Sequence, residues 1–366
     1  MADKMFAASN LEGLTINNWY IKEKLPKADR SKGESGGNFS ICYIVNKDGK
    51  DFFMKVLNYQ NIISMSLPIG VSRSEYMEIA LKEFNYEKNL SKYCRDKKIS
   101  KVVVYEDCGE IELNDYVFPT VSYIIYEMAT GNIRKYIEYS KKLDFSAKIK
   151  TLSDKLQSLR DVATGLKNLH YHDITHQDLK PSNIMTFKNE SKIGDLGRSL
   201  CFDDTIECPY SAKSFHGDWN YAPPEAIFNY LIPDLKERMY QMDIYTLGGL
   251  MSYYLAGISF NALLELSLPM TMIDMRKSGF VYENVKMDLI NAYTKALDEL
   301  RKEIPLESVR EDIVKIIGYL CNPDPARRGH PKNILLTNRT PNYDLQRTIS
   351  ELDLALKRAN IELLKY

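Results

Sequence analysis

Over the first third of the chain, apolar and polar positions alternate in short blocks. Ser40-Ile41-Cys42-Tyr43-Ile44-Val45 reads as a strand, Asn46-Lys47-Asp48-Gly49-Lys50 as a turn, and residues 51–57 as a second strand. Residues 75–95 read as a helix, with Met77, Ala80, Leu81 and Phe84 on one stripe. Residues 101–105 and 121–128 are β-rich again. From about residue 132 the period becomes helical. Residues 149–169 form a long amphipathic candidate, 242–255 a mostly apolar helix, and 286–301 and 306–320 two more. Leu345, Ile349, Leu352 and Leu356 space a last helix within residues 342–364.

This order predicts an α+β fold: a small β-rich lobe with one helix, then a larger helical lobe. The expected divisions are an N-terminal extension over residues 1–14, an N-lobe over 15–128, a C-lobe over 129–340 and a C-terminal helix over 341–366. That last helix either docks on its own domain or serves self-association.

Composition narrows the class. The 366 residues are 44% hydrophobic and 27% charged, with 49 basic residues against 49 acidic ones. A balanced charge offers no global field for nucleic acid or an anionic membrane, so neither is an expected partner. The first residues lack the apolar core of a signal peptide. The most apolar stretch, residues 244–268, is broken by glycine, serine, asparagine and glutamate, which suits a buried helix rather than a membrane span. Cys42, Cys94, Cys108, Cys201, Cys208 and Cys321 form no CxxC pair. Reduced thiols in a cytoplasmic protein are expected rather than a zinc site, although Cys201 and Cys208 are close enough in sequence for a redox bridge.

The chemistry concentrates in His176-Gln177-Asp178-Leu179-Lys180-Pro181-Ser182-Asn183, followed by Gly194-Asp195-Leu196-Gly197. One short loop carries a carboxylate, an ammonium and an amide, and a second carboxylate follows on the next turn. Phosphoryl transfer from a metal-bound nucleotide needs that set. Lys55 lies inside the apolar strand Phe52-Phe53-Met54-Lys55-Val56-Leu57. The helical stripe through Phe84 continues onto Glu87, and a carboxylate on an inward face is costly unless paired. Lys55 is the available partner, and Glu83, off the stripe, is the rival.

These stretches resemble protein kinases of the serine/threonine type, from about residue 15 to 335. The resemblance implies a two-lobed fold that transfers the γ-phosphate of ATP to protein hydroxyls with Mg²⁺. Asp178 would orient the substrate hydroxyl and Lys180 would meet the transferring phosphate. Asn183 and Asp195 would bind metal, and Lys55, held by Glu87, would bind the inner phosphates. The segment Gly33-Glu34-Ser35-Gly36-Gly37-Asn38-Phe39-Ser40 resembles the phosphate-covering loop only in part, with backbone at Gly36 and Gly37 free to approach phosphate. Tyr123-Ile124-Ile125-Tyr126-Glu127-Met128 resembles the strand and hinge, so backbone groups of Glu127 and Met128 would meet adenine, with Tyr126 as a bulky gatekeeper. Ala222-Pro223-Pro224-Glu225, Asp243 and Asp324-Pro325-Ala326-Arg327-Arg328 resemble the bracing motifs of the family. Glu225 would pair with Arg328, or else with Arg327.

Three departures stand out. Gln177 replaces the arginine that many kinases use to meet an activation-segment phosphate. Leu196 replaces the usual phenylalanine, and Asp218 stands where many serine/threonine kinases have threonine, able to pair with Lys180. The rival readings are a nucleotide-binding pseudokinase and a small-molecule kinase of related fold.

Overall fold

The computed structural model describes residues 5–26, 39–67, 70–140, 145–210, 215–335 and 341–364. The chain divides into two compact units. One comprises Met1–Thr130 with Asp195–Gly197 and Asp204–Pro209; the other comprises Gly131–Gly194, Arg198–Asp203 and Tyr210–Tyr366.

The first unit is built on a six-stranded antiparallel sheet. Its strands are β1 (Thr15–Ile16), β2 (Trp19–Lys24), β3 (Ser40–Lys47), β4 (Lys50–Leu57), β5 (Tyr105–Glu112) and β6 (Thr120–Glu127), in the order β1-β2-β3-β4-β6-β5. Helices α1 (Tyr59–Ser64) and α2 (Arg73–Asp96) follow β4. The β3–β4 hairpin turns at Asp48 and Gly49, both at positive φ, a conformation that glycine and short polar residues adopt most readily.

Strand alternation sorts the sheet into two faces. Phe52, Met54 and Val56 of β4 join Val121, Tyr123 and Ile125 of β6 in one core. Ala7, Ala8 and Leu11 from the N-terminal segment pack into that same core. On the other face, Leu57, Ile124 and Tyr126 pack with Ala80 and Phe84 of α2. Helix α2 begins in a capping box, the Ser72 hydroxyl accepting from Glu75 N–H while the Glu75 carboxylate accepts from Ser72 N–H. Its buried stripe runs Ala80, Phe84, Glu87, Ser91, Cys94.

Residues 101–105 were expected to be strand, but the strand runs Tyr105–Glu112. Glu106, Asp107, Glu110 and Glu112 hide it from a hydrophobic pattern. They are tolerated because β5 is the edge of the sheet.

The second unit is mostly helical. It begins with β7 (Gly131–Asn132), α3 (Ile133–Ser140), α4 (Phe145–Tyr171) and β8 (Ile174–Thr175). Short strands β9 (Ile184–Thr186), β10 (Ser191–Ile193) and β11 (Leu200–Cys201) follow, then α5 (Pro224–Ile227) and α6 (Leu235–Ala256). The rest is α7 (Phe260–Glu265), α8 (Met272–Lys277), α9 (Tyr282–Glu303), α10 (Glu307–Leu320), α11 (Pro331–Leu335) and α12 (Gln346–Leu363).

Helix α6 is buried along most of its length, polar residues such as Gln241 and Asp243 included, with Asp234 capping its start and Gly257 in the left-handed region at its end. Helix α12 buries Leu352, Ala355, Leu356 and Ala359 against α4 and α10. Among the described residues, no helix is long and apolar enough to cross a membrane.

Candidate active site

Two clusters hold the residues singled out by the sequence, one in each unit. In the first unit, Lys55 shares the α2-facing side of β4 with Phe53 and Leu57. Its Nζ lies 2.7 Å from both Glu87 oxygens and 3.3 Å from Asp195 Oδ1. Glu83, the rival partner, has no part in this pairing. One ammonium therefore faces two carboxylates. Burial acts to lower the Lys55 pKa, but Asp195 and Glu87 outweigh it and hold the group well above the ordinary lysine value. Burial pushes the Glu87 carboxyl up, and the attraction of Lys55 offsets this only in part.

Gly197 closes this cluster from the next turn. A Cβ there would sit 3.2 Å from Glu87 Oε2, so a larger residue would crowd the carboxylate. Asp195 itself has φ 58°, rare for a residue with a side chain. Leu196 is buried. Glu127 N–H donates to Val104 O at 3.0 Å, and its carboxylate accepts from Val104 N at 2.7 Å. Its amide is thus engaged within the unit. Gly36 and Gly37 lie outside the described residues, and Met128 is half-buried.

In the second unit, Asp243 of α6 shapes the loop over residues 176–183. Its two oxygens accept from His176 N and Gln177 N, each at 2.7 Å. His170, which no sequence signal singled out, also reaches Asp243 Oδ2, at 2.9 Å. His176 is fully buried; its Nε2 meets Gly194 O at 3.1 Å and its Nδ1 accepts from Asp178 N at 3.2 Å. A carbonyl only accepts, so Nε2 must be the ring donor and Nδ1 the acceptor.

The loop holds Asp178 from three directions. Oδ1 accepts from Asp218 N–H at 2.9 Å, and Oδ2 meets Lys180 Nζ at 2.8 Å and Asn183 Nδ2 at 3.1 Å. Asn183 Nδ2 also donates to Asp178 O at 2.9 Å. Asp218 does not pair with Lys180: Asp178 takes the lysine, and Asp218 Oδ1 accepts from Asn220 N and Nδ2 instead.

Gln177 is fully buried at φ 65°, its Nε2 donating to Met239 O at 3.0 Å. Gly217 passes so close that a Cβ would lie 2.1 Å from Gln177 O, which only glycine permits. Farther off, Arg328 grips Glu225 with two parallel bonds of 2.5 and 2.7 Å, both side chains wholly buried. Arg327, the alternative, is exposed.

The donor sets suit a magnesium nucleotide in kind. Mg²⁺ takes hard oxygen ligands together with phosphate oxygens. Asp195 carries a carboxylate, and Asn183 has its amide nitrogen occupied by Asp178, which turns its Oδ1 into the metal-capable atom. The Lys55 ammonium suits inner phosphates.

Comparison with known proteins agrees. Serine/threonine-protein kinase atg1 of Dictyostelium discoideum is 30% identical over 151 residues, 40% of this chain and 20% of that protein. Mitosis inhibitor protein kinase wee1 of Schizosaccharomyces pombe is 26% identical over 194 residues, 52% of this chain and 20% of that protein. Inhibitor of nuclear factor kappa-B kinase subunit alpha of Xenopus laevis is 26% identical over 256 residues, 66% of this chain and 32% of that protein. The chain thus spans between a fifth and a third of the length of these relatives. With residues 33–338 matched by the model described as protein kinase domain, this chain belongs to the protein kinase family.

Proposed function

We propose that this protein transfers the γ-phosphate of ATP to serine or threonine hydroxyls of protein substrates, assisted by Mg²⁺. The observation that carries the reading is the Asp178 carboxylate, fixed at once by a backbone N–H, an ammonium and an amide. Lys180 and Pro181 in the loop support the serine/threonine class. Mg²⁺-ATP supplies the phosphoryl group. Asp178 orients the acceptor hydroxyl and takes its proton as the new phosphorus–oxygen bond forms and the bond to the departing ADP breaks. Lys180 offsets the charge that develops on the transferring group. Asn183 and Asp195 hold the metal, and Lys55, steadied by Glu87, holds the inner phosphates. Gly36 and Gly37 would cover them, with Glu127 and Met128 beside the base.

Gln177 in place of arginine supports activity independent of activation-segment phosphate. The neutral side chain is turned onto α6 and cannot form a charge-assisted pair. We read residues 15–128 and 129–340 as the two lobes and place the protein in the cytoplasm. Self-association through α12 would have to use Leu354 and Ile361, its exposed apolar residues, with Leu364 just past its end.

The test is labelled-ATP transfer to protein by wild type beside Asp178→Asn, with mass-spectrometric mapping of modified residues. The variant should lose roughly 10²–10⁴-fold in turnover and still bind Mg²⁺-ATP. Nucleotide binding without transfer to any protein would favour the pseudokinase reading. Transfer to metabolites alone would favour the small-molecule one.

A further inference from the structure

Tyr126 gives the face of the sheet beneath α2 a polar group that its apolar packing does not require. Tyr126 on β6 is buried among Leu57, Ile124, Ala80 and Phe84, where a phenylalanine ring would fill the same space. Its hydroxyl is 3.1 Å from Glu87 Oε1 and 3.1 Å from Ser91 Oγ. A phenol has one proton to give, and the carboxylate can only accept, so the Ser91 hydroxyl donates to the phenol oxygen. Ser91 is itself buried, one turn beyond Glu87 on the same stripe of α2. The three groups tie the helix to the strand. They also give Glu87 a second fixed anchor besides Lys55, whose Nζ contacts both of its oxygens.

A long glutamate held by a lysine alone would follow that lysine wherever a ligand drew it. Anchored to β6, it cannot. We propose that the Tyr126 hydroxyl, backed by Ser91, is a positioning group: it fixes Glu87 so that the Lys55 ammonium meets nucleotide phosphates in one place. This rests on reading Lys55 as the phosphate-binding cation. Tyr126 and Ser91 act through Glu87 and need not touch the nucleotide.

The test titrates Mg²⁺-ATP by calorimetry into wild type, Tyr126→Phe and Ser91→Ala, then repeats Tyr126→Phe in Glu87→Ala and Glu87→Gln backgrounds. One hydrogen bond to a charged group predicts an affinity about tenfold weaker for Tyr126→Phe, with a smaller loss for Ser91→Ala. In steady state, KM for ATP should rise by a similar factor while KM for the protein acceptor stays put. In both Glu87 backgrounds, removing the Tyr126 hydroxyl should change nothing further. Wild-type affinity in Tyr126→Phe overturns the proposal. So does an equal loss with and without Glu87, which would make the ring's packing responsible. Binding is read apart from transfer, so the proposal survives if the protein binds Mg²⁺-ATP but phosphorylates nothing. It falls together with the kinase reading if wild type binds no Mg²⁺-ATP.

Discussion

Each unit contains an ion pair shielded from solvent, wholly in one and in part in the other, and the two are built differently. Arg328 and Glu225 are both 0% exposed. Besides its two bonds to Glu225, Arg328 donates to Asn322 O and Gln241 O and lies over the Tyr245 ring. That pair is electrically closed and has nothing left to offer a ligand. Lys55 is 16% exposed and faces Asp195, 45% exposed, as well as Glu87. One positive charge meets two negative ones, so the cluster is left short of a cation. A structural brace satisfies itself, whereas a ligand site is left incomplete at the point where the ligand arrives.

The comparison can be broken first at the brace. Arg328→Met should cost roughly 3–5 kcal/mol of unfolding free energy, because it leaves Glu225 buried without a partner. Urea denaturation measures it. A loss below about 1 kcal/mol would mean that Glu225 finds water or another partner.

Gln177→Arg tests whether the loop has room for the arginine many kinases carry. The Gln177 side chain is fully buried, its Nε2 committed to Met239 O. Overpacking should destabilise by roughly 1–3 kcal/mol, with no gain in turnover. Replacing Ser199, Thr205, Tyr210, Ser211 and Ser214 should leave turnover within about threefold, since the neutral Gln177 cannot pair with a phosphate as an arginine would. Ser211 and Ser214 lie outside the described residues. Collapse of activity in that variant would overturn the reading of Gln177.

Cys42 reports on the open cluster by its chemistry. It pairs across the ladder with Lys55, yet burial pushes its thiol up to about 11 against the attraction of that lysine. The reactive thiolate is scarce below that pH. Iodoacetamide labelling of Cys42 at pH 8 should run roughly two orders of magnitude slower than for an exposed thiol, rising with pH. Fast labelling at pH 8 would show that Lys55 wins. The smallest effect is expected from Asp218→Thr. The Asp218 contact to Asp178 comes from the backbone N–H and survives the change. The pH–rate profile should stay unchanged, and a shifted acid limb would restore a role for the carboxylate.

Much of the site was legible because its residues lie close together in sequence. Asp178, Lys180 and Asn183 share one loop, and a contiguous loop displays its chemistry without folding. Glu87 was legible because an apolar stripe landed on a carboxylate. The same stripe, followed one turn further, lands on Ser91, a signal that was there to read. The bond from Tyr126 to Glu87 could not be read, since it depends on which face of β6 lies under α2. His170 gave no signal at the end of an amphipathic helix. Strand β5 was obscured by edge-strand acids, and the N-terminal segment hid its core role behind isolated small residues such as Ala7 and Ala8.

On the function proposed above, the Lys55 cluster serves a nucleotide and the Arg328 pair serves the fold. The direct measurement is calorimetric titration of Mg²⁺-ATP into Lys55→Met/Glu87→Leu, with urea unfolding of the same protein. Removing both members leaves no orphaned charge within the pair, and the Tyr126 hydroxyl can turn its proton to Ser91 Oγ, so stability should hold within about 1 kcal/mol or rise, while Mg²⁺-ATP affinity falls at least about tenfold for want of a charge-assisted contact. A variant that binds Mg²⁺-ATP like wild type would contradict the account.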